Sequence, residues 1–230
     1  MGSGEALVIA IDGPAASGKS TVALSMARRL GVVLVDSGSM YRAVTLLAIE
    51  QGVANGDADA LRVLARSVSA DFELDLSDDG PPRVCLGDRD VTREIRSLEV
   101  GEAVSPVSRV GAVREEMVLL QRTIVGERGA VVEGRDIGTI VFPDAPLKVF
   151  LEASPEERAR RRFLEFQEKG VPATELEVRK EIAMRDSIDS TRELSPLAVA
   201  QDAFLLDTTD MTVEQVVDEV VAELGRRHLI

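Results

Sequence analysis

A nine-residue stretch near the start of the chain has residue types and spacing that suit phosphate binding. Its residues, Gly13-Pro14-Ala15-Ala16-Ser17-Gly18-Lys19-Ser20-Thr21, match the pattern of Gly, any four residues, and Gly-Lys-Ser/Thr. Glycines let backbone N–H groups turn inward around phosphate oxygens, and a following helix adds a favourable dipole. Lys19 supplies a movable positive charge for the outer phosphates, and the Ser20 hydroxyl is a ligand that Mg²⁺ accepts. The stretch therefore predicts a site for a nucleoside triphosphate and Mg²⁺.

Three arginines further along the chain predict a second group that faces phosphates. Arg158, Arg161 and Arg162 are spaced i, i+3 and i+4, so they share one face of a predicted helix. Each arginine alone is better explained as a solvent-exposed residue. As a group they predict a movable lid that closes over phosphates, brings positive charge to the transferring group and excludes water.

A mixed cluster of charges leaves two interpretations open. Arg185, Asp189 and Arg192 are spaced i, i+4 and i+7, which places them on one helical stripe. The stripe could be a surface ladder of ion pairs, each worth a few tenths of a kcal/mol. It could also be a ligand site, in which the carboxylate accepts sugar hydroxyls while the arginines hold phosphate or base.

Two further charged groups follow predicted strands. Asp36, Ser37 and Arg42 come after one apolar run, and Gly134-Arg135-Asp136 come after another. The first group could be a helix cap, although capping does not explain an arginine on the first turns of an apolar helix. The second could be an ordinary turn with an ion pair, but its predicted place beside the phosphate-binding stretch favours a ligand role.

The elements that must position these residues alternate along the chain. Apolar runs predict five buried strands, at residues 6–11, 32–36, 130–133, 147–151 and 203–206. Helical patterns and stop signals predict helices at residues 21–30, up to about 51–52, and at 57–65, 97–127 (one or two helices), 155–169, 174–187 and 213–227. Two alternating segments, 68–76 and 83–86, joined by a polar turn at 77–82, predict a small β-rich insertion. This order predicts an α/β fold, a doubly wound five-stranded parallel sheet with ligands at the carboxyl ends of its strands.

Composition narrows the classes of function. The chain has 230 residues and a net charge of −13, which argues against a general nucleic-acid-binding surface. The absence of a long apolar run argues against a membrane span, and no secretory signal is visible. Cys85 is the only cysteine, which predicts no internal disulfide and a cytoplasmic setting. His228 is the only histidine, so histidine-based catalysis and Cys/His metal sites are not expected.

Together the motifs resemble bacterial cytidylate kinase, a nucleoside monophosphate kinase of the adenylate-kinase-like P-loop group. The similarity runs from about Ile9 to Arg227 and rests on six blocks: IDGPAASGKST (11–21), DSGSMYR (36–42), DVTREIR (90–96), EGRDIGTIVFPDAP (133–146), EERARRR (156–162) and RDSIDSTR (185–192). The phosphate loop alone marks only a superfamily, whereas GRDIGT, RDSIDSTR and the β-rich insertion point to this one family. One departure is Gly111, where relatives often carry proline before the helix that bears Arg114.

The resemblance implies ATP as the phosphoryl donor, Mg²⁺ as the metal, and CMP or dCMP as the acceptor. By similarity, Gly13–Thr21 would bind the ATP phosphates, with Mg²⁺ at Ser20, and the CMP phosphate would be bound by Ser37, Arg42 and Arg135. The cytosine edge would be read by Ser105, Arg114 and Asp136, with Arg192 nearby, and the sugar and the acceptor nucleotide would be bound by Arg185 and Asp189. The residues implied for catalysis are Lys19, Arg135, Arg158 and Arg162, of which Arg158 and Arg162 belong to the lid.

The resemblance also implies how the chain is organised. A single domain would span residues 1–230, with a core at 5–52, 112–152 and 200–228, an acceptor-binding region with the insertion at about 37–111, and a lid at about 155–172. The expected partners are small nucleotides, without nucleic acid or membrane. We expect a monomer, because no large exposed apolar face is evident in the sequence.

The expected mechanism is direct in-line transfer of the γ-phosphoryl group. An acceptor phosphate oxygen is already ionised, so no general base is needed, and catalysis rests on positioning and charge neutralisation. Two alternatives remain. A GTP-binding switch would usually carry Asn-Lys-x-Asp, but Asn55 is the only asparagine and precedes Gly56. A kinase for UMP or for a metabolite such as shikimate or gluconate is the other, although the metabolite kinases usually lack the insertion.

Overall fold

The chain divides into two compact units. The structure is a computed structural model that describes residues 7–75, 82–168 and 170–230. The predicted turn at 77–82 therefore lies, apart from its last residue, outside the described residues. The core unit consists of Met1–Val33 and Glu127–Ile230, and the inserted unit of Leu34–Gly126.

Strands and helices alternate through most of the described chain. The strands are β1 Val8–Asp12, β2 Val33–Asp36, β3 Phe72–Asp75, β4 Arg83–Leu86, β5 Arg89–Asp90, β6 Ala130–Glu133, β7 Leu147–Glu152 and β8 Phe204–Asp207. The α-helices are α1 Lys19–Leu30, α2 Ser37–Glu50, α3 Ala58–Asp71, α4 Leu98–Ser108, α5 Gly111–Val125, α6 Pro155–Glu168, α7 Glu175–Thr191 and α8 Val213–Arg226. Among the described residues, no helix is long and apolar enough to cross a membrane.

The predicted five-stranded parallel sheet is confirmed. Its strand order is β2-β6-β1-β7-β8. The central strand β1 pairs on both sides, with Ile9 opposite Val131 of β6 and Leu147 of β7. Val33, the first residue of β2, donates its N–H to the Gly129 carbonyl at 3.0 Å. Because parallel strands end at a common edge, the segments that follow β1, β6, β7 and β8 meet at the carboxyl edge of the sheet.

The inserted unit contains the predicted β-rich insertion, with one correction. Strands β3, β4 and β5 form a three-stranded antiparallel sheet, and β4 covers the predicted residues 83–86. The strand predicted at 68–76 is wrong at its start, because α3 continues through Asp71 and β3 begins at Phe72. The buried residues of α3 follow helical spacing, at Leu61, Leu64, Ala65 and Val68. Burial of that helical face outweighs the short local alternation at 68–71.

The observed helix boundaries agree with some of the predicted ones and differ from others. Helix α1 begins at Lys19, two residues earlier than predicted, because Gly18 forms its N-cap with a φ of +91°. The predicted stop at Gly31 is confirmed by its φ of +65°. The segment 97–127, predicted as one or two helices, forms two. Helix α7 runs four residues beyond its predicted end, and Arg192 caps it instead of continuing its stripe.

Candidate active site

The predicted phosphate-binding loop lies in the core unit between β1 and α1. Its backbone turns through positive φ values, of +150° at Gly13, +59° at Ala16 and +91° at Gly18. A Cβ atom at Gly13 would lie 2.1 Å from the carbonyl oxygen of Leu151 in β7. Glycine is therefore required at the first loop position by the close approach of a neighbouring strand as well as by torsion.

Lys19 lies inside this loop among other charges. Its side chain is buried, and its Nζ donates to the Pro14 carbonyl at 2.6 Å. Burial lowers the pKa of Lys19 well below its usual value, and the positive charge of Arg135 lowers it further. The negative charge of Glu133 acts in the opposite direction, and the positive charge of Arg185 adds to the lowering. Three cations that repel one another favour an anionic ligand, because phosphate oxygens offset their repulsion.

The Ser20 hydroxyl has a carboxylate partner that the sequence analysis did not single out. It donates to Oε1 of Glu133, the last residue of β6, at 2.7 Å. A hydroxyl beside a carboxylate fits Mg²⁺, which takes oxygen ligands and keeps water and substrate phosphates in the rest of its shell. The part of the chain that the structure describes contains no group of three His, Cys, Asp or Glu residues able to hold a metal. A metal at Ser20 and Glu133 would take its remaining ligands from water and from substrate phosphates.

Asp12, at the end of β1, fixes the turn that follows β6. Its two carboxylate oxygens accept the N–H groups of Ile137 at 2.8 Å and Gly138 at 2.7 Å. Burial raises the pKa of Asp12 to about 6, the two backbone hydrogen bonds lower it, and the charge of Asp136 raises it. The residue before the phosphate loop therefore also holds the backbone that presents Arg135 and Asp136.

Four of the predicted site residues come together in the core unit. Nε of Arg135 donates to Asp189 at 2.9 Å, and Arg192 lies 3.6 Å from Asp136 and 4.0 Å from Asp189. Asp189 and Arg192 are each only 6% exposed. The alternative of a surface ion-pair ladder is therefore wrong. Buried carboxylates and arginines at the carboxyl edge of a sheet can instead exchange these contacts for hydroxyl, phosphate and base groups of a ligand.

Arg158 contacts the phosphate loop directly. Its Nη1 donates to the Ala15 carbonyl at 3.2 Å and to Oδ2 of Asp186 at 2.5 Å, and its Nε donates to the Ala153 carbonyl at 3.1 Å. Oδ1 of Asp186 accepts the N–H of Ala15 at 3.3 Å. Asp186 was not singled out by the sequence analysis, although it lies within the RDSIDSTR block.

Arg161 and Arg162, the other two arginines of the predicted lid group on α6, have different partners. Arg161 donates to the hydroxyl of Thr208, the residue after β8, at 3.1 Å. Arg162 donates to Glu165 at 2.9 Å and lies over the ring of Phe166, 4.5 Å from its centre. The three arginines thus share one helix, as predicted, but the structure gives each its own neighbours rather than bringing their charges to one point.

Two predicted acceptor residues of the inserted unit lie on α2. Asp36 accepts the N–H of Ser39 at 3.0 Å, so the capping interpretation of this segment is confirmed. Ser37, the first residue of the helix, is buried. Arg42 points its Nη1 at the Ile95 carbonyl at 3.4 Å.

The other two acceptor residues of the inserted unit lie on α4 and α5. Arg114 is 4% exposed, donates to the Ser108 carbonyl at 3.2 Å and lies over the ring of Tyr41, 5.4 Å from its centre. The carbonyl of Ser105 accepts the hydroxyl of Ser108 at 3.0 Å. Arg114 and Ser105 therefore both contact Ser108, the last residue of α4.

The fold and the loop define a class of protein. A parallel α/β sheet whose first strand leads through a glycine loop into a helix, with Lys and Ser at its start, is the arrangement of P-loop nucleotide-binding proteins. Within this class, residues 9–226 match the model of the cytidylate kinase family. The chain belongs to that family, as its motifs predicted.

Known proteins agree with this assignment. The chain is 48% identical over 219 residues to a cytidylate kinase of Limosilactobacillus fermentum, covering 95% of each chain. It is 50% identical over 221 residues to a cytidylate kinase of Pelotomaculum thermopropionicum, covering 95% of this chain and 97% of the relative. Among solved structures, an uncharacterized protein from Eubacterium ventriosum is similar with a TM-score of 0.50 and 12% identity, covering 95% of this chain and 98% of that one. This last similarity concerns the fold alone.

Proposed function

We propose that this protein transfers the γ-phosphoryl group of ATP to CMP and dCMP, yielding ADP with CDP or dCDP. One observation carries the proposal beyond family membership. In the core unit, Lys19 of the phosphate loop lies within electrostatic range of Arg135, which belongs to the buried cluster with Asp136, Asp189 and Arg192. A triphosphate site adjoins a second anion site, as transfer between two phosphates requires.

The proposal assigns each residue to a ligand. The ATP phosphates go to Gly13–Thr21; the CMP phosphate to Ser37, Arg42 and Arg135; the cytosine edge to Ser105, Arg114 and Asp136, with Arg192; the sugar and acceptor nucleotide to Arg185 and Asp189; and the transferring group to Lys19, Arg135, Arg158 and Arg162. Residues of about 37–111 would bind the acceptor and residues of about 155–172 would close as a lid. The working form would be a monomer. Its compartment would be the cytoplasm, whose reducing conditions suit a chain with a single cysteine.

The mechanism follows from the charges of these side chains. The acceptor oxygen is ionised at neutral pH, so the chain need not supply a base, and its task is to align two phosphates in line and to offset their repulsion. Lys19 and Arg135 provide positive charge between donor and acceptor. Ser20 and Glu133 would hold Mg²⁺, which neutralises phosphate charge when bound.

Release of ADP from ATP across a panel of acceptors tests the proposal. We expect turnover with CMP and dCMP, little with UMP, none with shikimate or gluconate, and no preference for GTP as donor. Lys19→Ala is expected to remove nearly all activity while far-UV and near-UV circular dichroism stay unchanged. UMP as the best acceptor would overturn the cytosine assignments, and near-normal turnover of Lys19→Ala would overturn the role of Lys19.

A further inference from the structure

Asp186 is a carboxylate on α7 that the proposed function leaves without a role. It precedes Asp189 by three residues, so the two carboxylates lie on the same side of α7, one turn apart. Each binds an arginine of the proposed catalytic set, since Asp189 accepts from Arg135 and Asp186 from Arg158. Helix α7 therefore holds both arginines through neighbouring side chains.

The contacts of Asp186 form a closed ring around one residue of the phosphate loop. Its Oδ1 accepts the N–H of Ala15 at 3.3 Å, and its Oδ2 accepts Nη1 of Arg158 at 2.5 Å. The same Nη1 donates to the Ala15 carbonyl at 3.2 Å. Both backbone polar groups of Ala15 are thus bound by one ion pair, which links the loop to α6 and α7.

The loop and the arginine both need such support. Ala16, the next residue, has a φ of +59°, a conformation that a non-glycine residue keeps only when its surroundings hold it. The Arg158 side chain is 9% exposed, and a buried guanidinium requires a charged or hydrogen-bonded partner. Asp186 meets both requirements with its two oxygens.

We propose that Asp186 is a positioning residue for phosphoryl transfer, which holds Arg158 and the tip of the phosphate loop in the arrangement that binds ATP. It acts through Arg158 and Ala15 and does not itself contact the nucleotide. This inference rests on the proposed function, in which Arg158 faces the transferring phosphate. It concerns the donor side only, so recognition of the acceptor is not expected to depend on Asp186.

A double-mutant cycle on the full chain tests this role. Steady-state kinetics are measured for the wild type, Asp186→Asn, Arg158→Met and the double variant, with ATP and CMP each varied. Asp186→Asn is expected to lower kcat/KM for ATP by about 10- to 100-fold, the size of loss that slight misplacement causes, with KM for CMP within twofold. Because Asp186 acts through Arg158, the double variant is expected to be little worse than Arg158→Met alone.

The matched control is a substitution that breaks a different aspartate ion pair of the core unit. Asp202 binds Nζ of Lys148 at 2.8 Å outside the proposed site, and Asp202→Asn is expected to leave both KM values and kcat unchanged. Asp186→Glu retains the charge and is expected to recover part of the activity lost in Asp186→Asn. If Asp186→Asn does not fold, Asp186→Glu against the wild type supplies the same comparison of ATP with CMP.

Several results would overturn the inference. These are additive losses in the cycle, equal changes in both KM values, or tighter binding of ATP by Asp186→Asn, which would identify the carboxylate as a competitor of phosphate for Ala15. Titration with a non-hydrolysable ATP analogue gives a readout independent of the acceptor. If the wild type fails to phosphorylate CMP, the proposed function fails, whereas unchanged affinity of Asp186→Asn for the analogue would overturn only the role of Asp186.

Discussion

Gly13 allows a test of the loop geometry at a single atom. Both Gly13 and Gly31 have positive φ, but a Cβ at Gly13 would meet the Leu151 carbonyl oxygen at 2.1 Å, whereas one at Gly31 meets nothing within 4 Å. Gly31→Ala is expected to cost about 1 kcal/mol of unfolding free energy, from torsion alone. Gly13→Ala adds displacement of a strand backbone and is expected to cost more than roughly 3 kcal/mol and to abolish ATP binding. Urea unfolding of the two variants checks this, and equal losses would contradict the contact.

Asp12 gives a prediction about pH. Burial raises its pKa to about 6 from an ordinary 3.8, so the folded chain holds the proton more tightly than the unfolded chain. The stability of the wild type relative to Asp12→Asn is therefore expected to fall as pH rises through that interval, by up to about 3 kcal/mol, and to level off above about pH 7. Urea unfolding at a series of pH values measures the difference.

The control for this titration is Asp202, a carboxyl group whose pKa is shifted in the opposite direction to that of Asp12. The hydrogen bond from Lys148 lowers the pKa of Asp202, so the stability that Asp202 contributes is present above pH 3.8 and is lost as pH falls below it. The stability of the wild type relative to Asp202→Asn is therefore expected to show no decline between about pH 4 and 6. A difference between wild type and Asp12→Asn that stays constant or increases over that range would contradict the assignment of Asp12.

At the level of single residues, the sequence predicts the site residues that lie within one contiguous motif. Lys19 and Ser20 follow from the spacing of a contiguous loop, and their places at the start of α1 agree with it. Asp12, Glu133 and Asp186 could not be found this way, because their partners are 125, 113 and 171 residues away. Only the strand order and the placement of α7 bring these carboxylates to the loop.

At the level of elements, α6 and α7 pack on each other and on the phosphate loop. Ala159, Phe166, Val178 and Ile182 form a buried apolar cluster, against which Ala16 of the loop also packs. Ile182→Ala is expected to cost about 2–4 kcal/mol and to raise KM for ATP more than KM for CMP, because the cavity loosens the support of the loop.

Leu224→Ala is the matched control for that element. Leu224 lies fully buried on α8, so its truncation is expected to lower stability by a similar amount while leaving KM for ATP unchanged. Amide hydrogen exchange should show faster exchange in α6 and α7 for Ile182→Ala only. The same rise in KM for ATP in both variants would mean that general destabilisation, rather than packing on the loop, is responsible.

Element types were predictable where burial and local pattern agree. The buried strands β1, β6 and β7 are short apolar runs, and each was predicted within one or two residues of its ends. The assignment failed at residues 68–71, where a period-two pattern coincides with the last turn of α3. The conformation of these residues is decided by the packing of α3, which cannot be deduced from a short window of sequence.

Across the whole molecule, the proposed donor and acceptor residues are divided between the two compact units. The order of strands and helices predicted the fold class, since buried apolar strands separated by helices have few alternatives. The bounds of the two units do not coincide with a change of amino-acid composition. The inserted unit begins inside the apolar strand β2, and it has buried residues of its own as the core unit does. The resemblance implied an acceptor-binding region at about 37–111, whereas the bounds of the inserted unit, Leu34–Gly126, come from the structure.

This division predicts that a variant of the inserted unit changes acceptor recognition alone. Arg114, which is buried on α5 and assigned to cytosine, is replaced by alanine. Arg66→Ala serves as the control, because Arg66 is an exposed residue of α3 that forms an ion pair with Glu116 of α5. Loss of hydrogen bonds from a charged group is expected to raise KM for CMP by about 10- to 100-fold and to reduce the preference for CMP over UMP. KM for ATP is expected to stay within twofold, and Arg66→Ala to match the wild type. A parallel rise in KM for ATP would show that Arg114 supports the structure generally rather than the base of the acceptor.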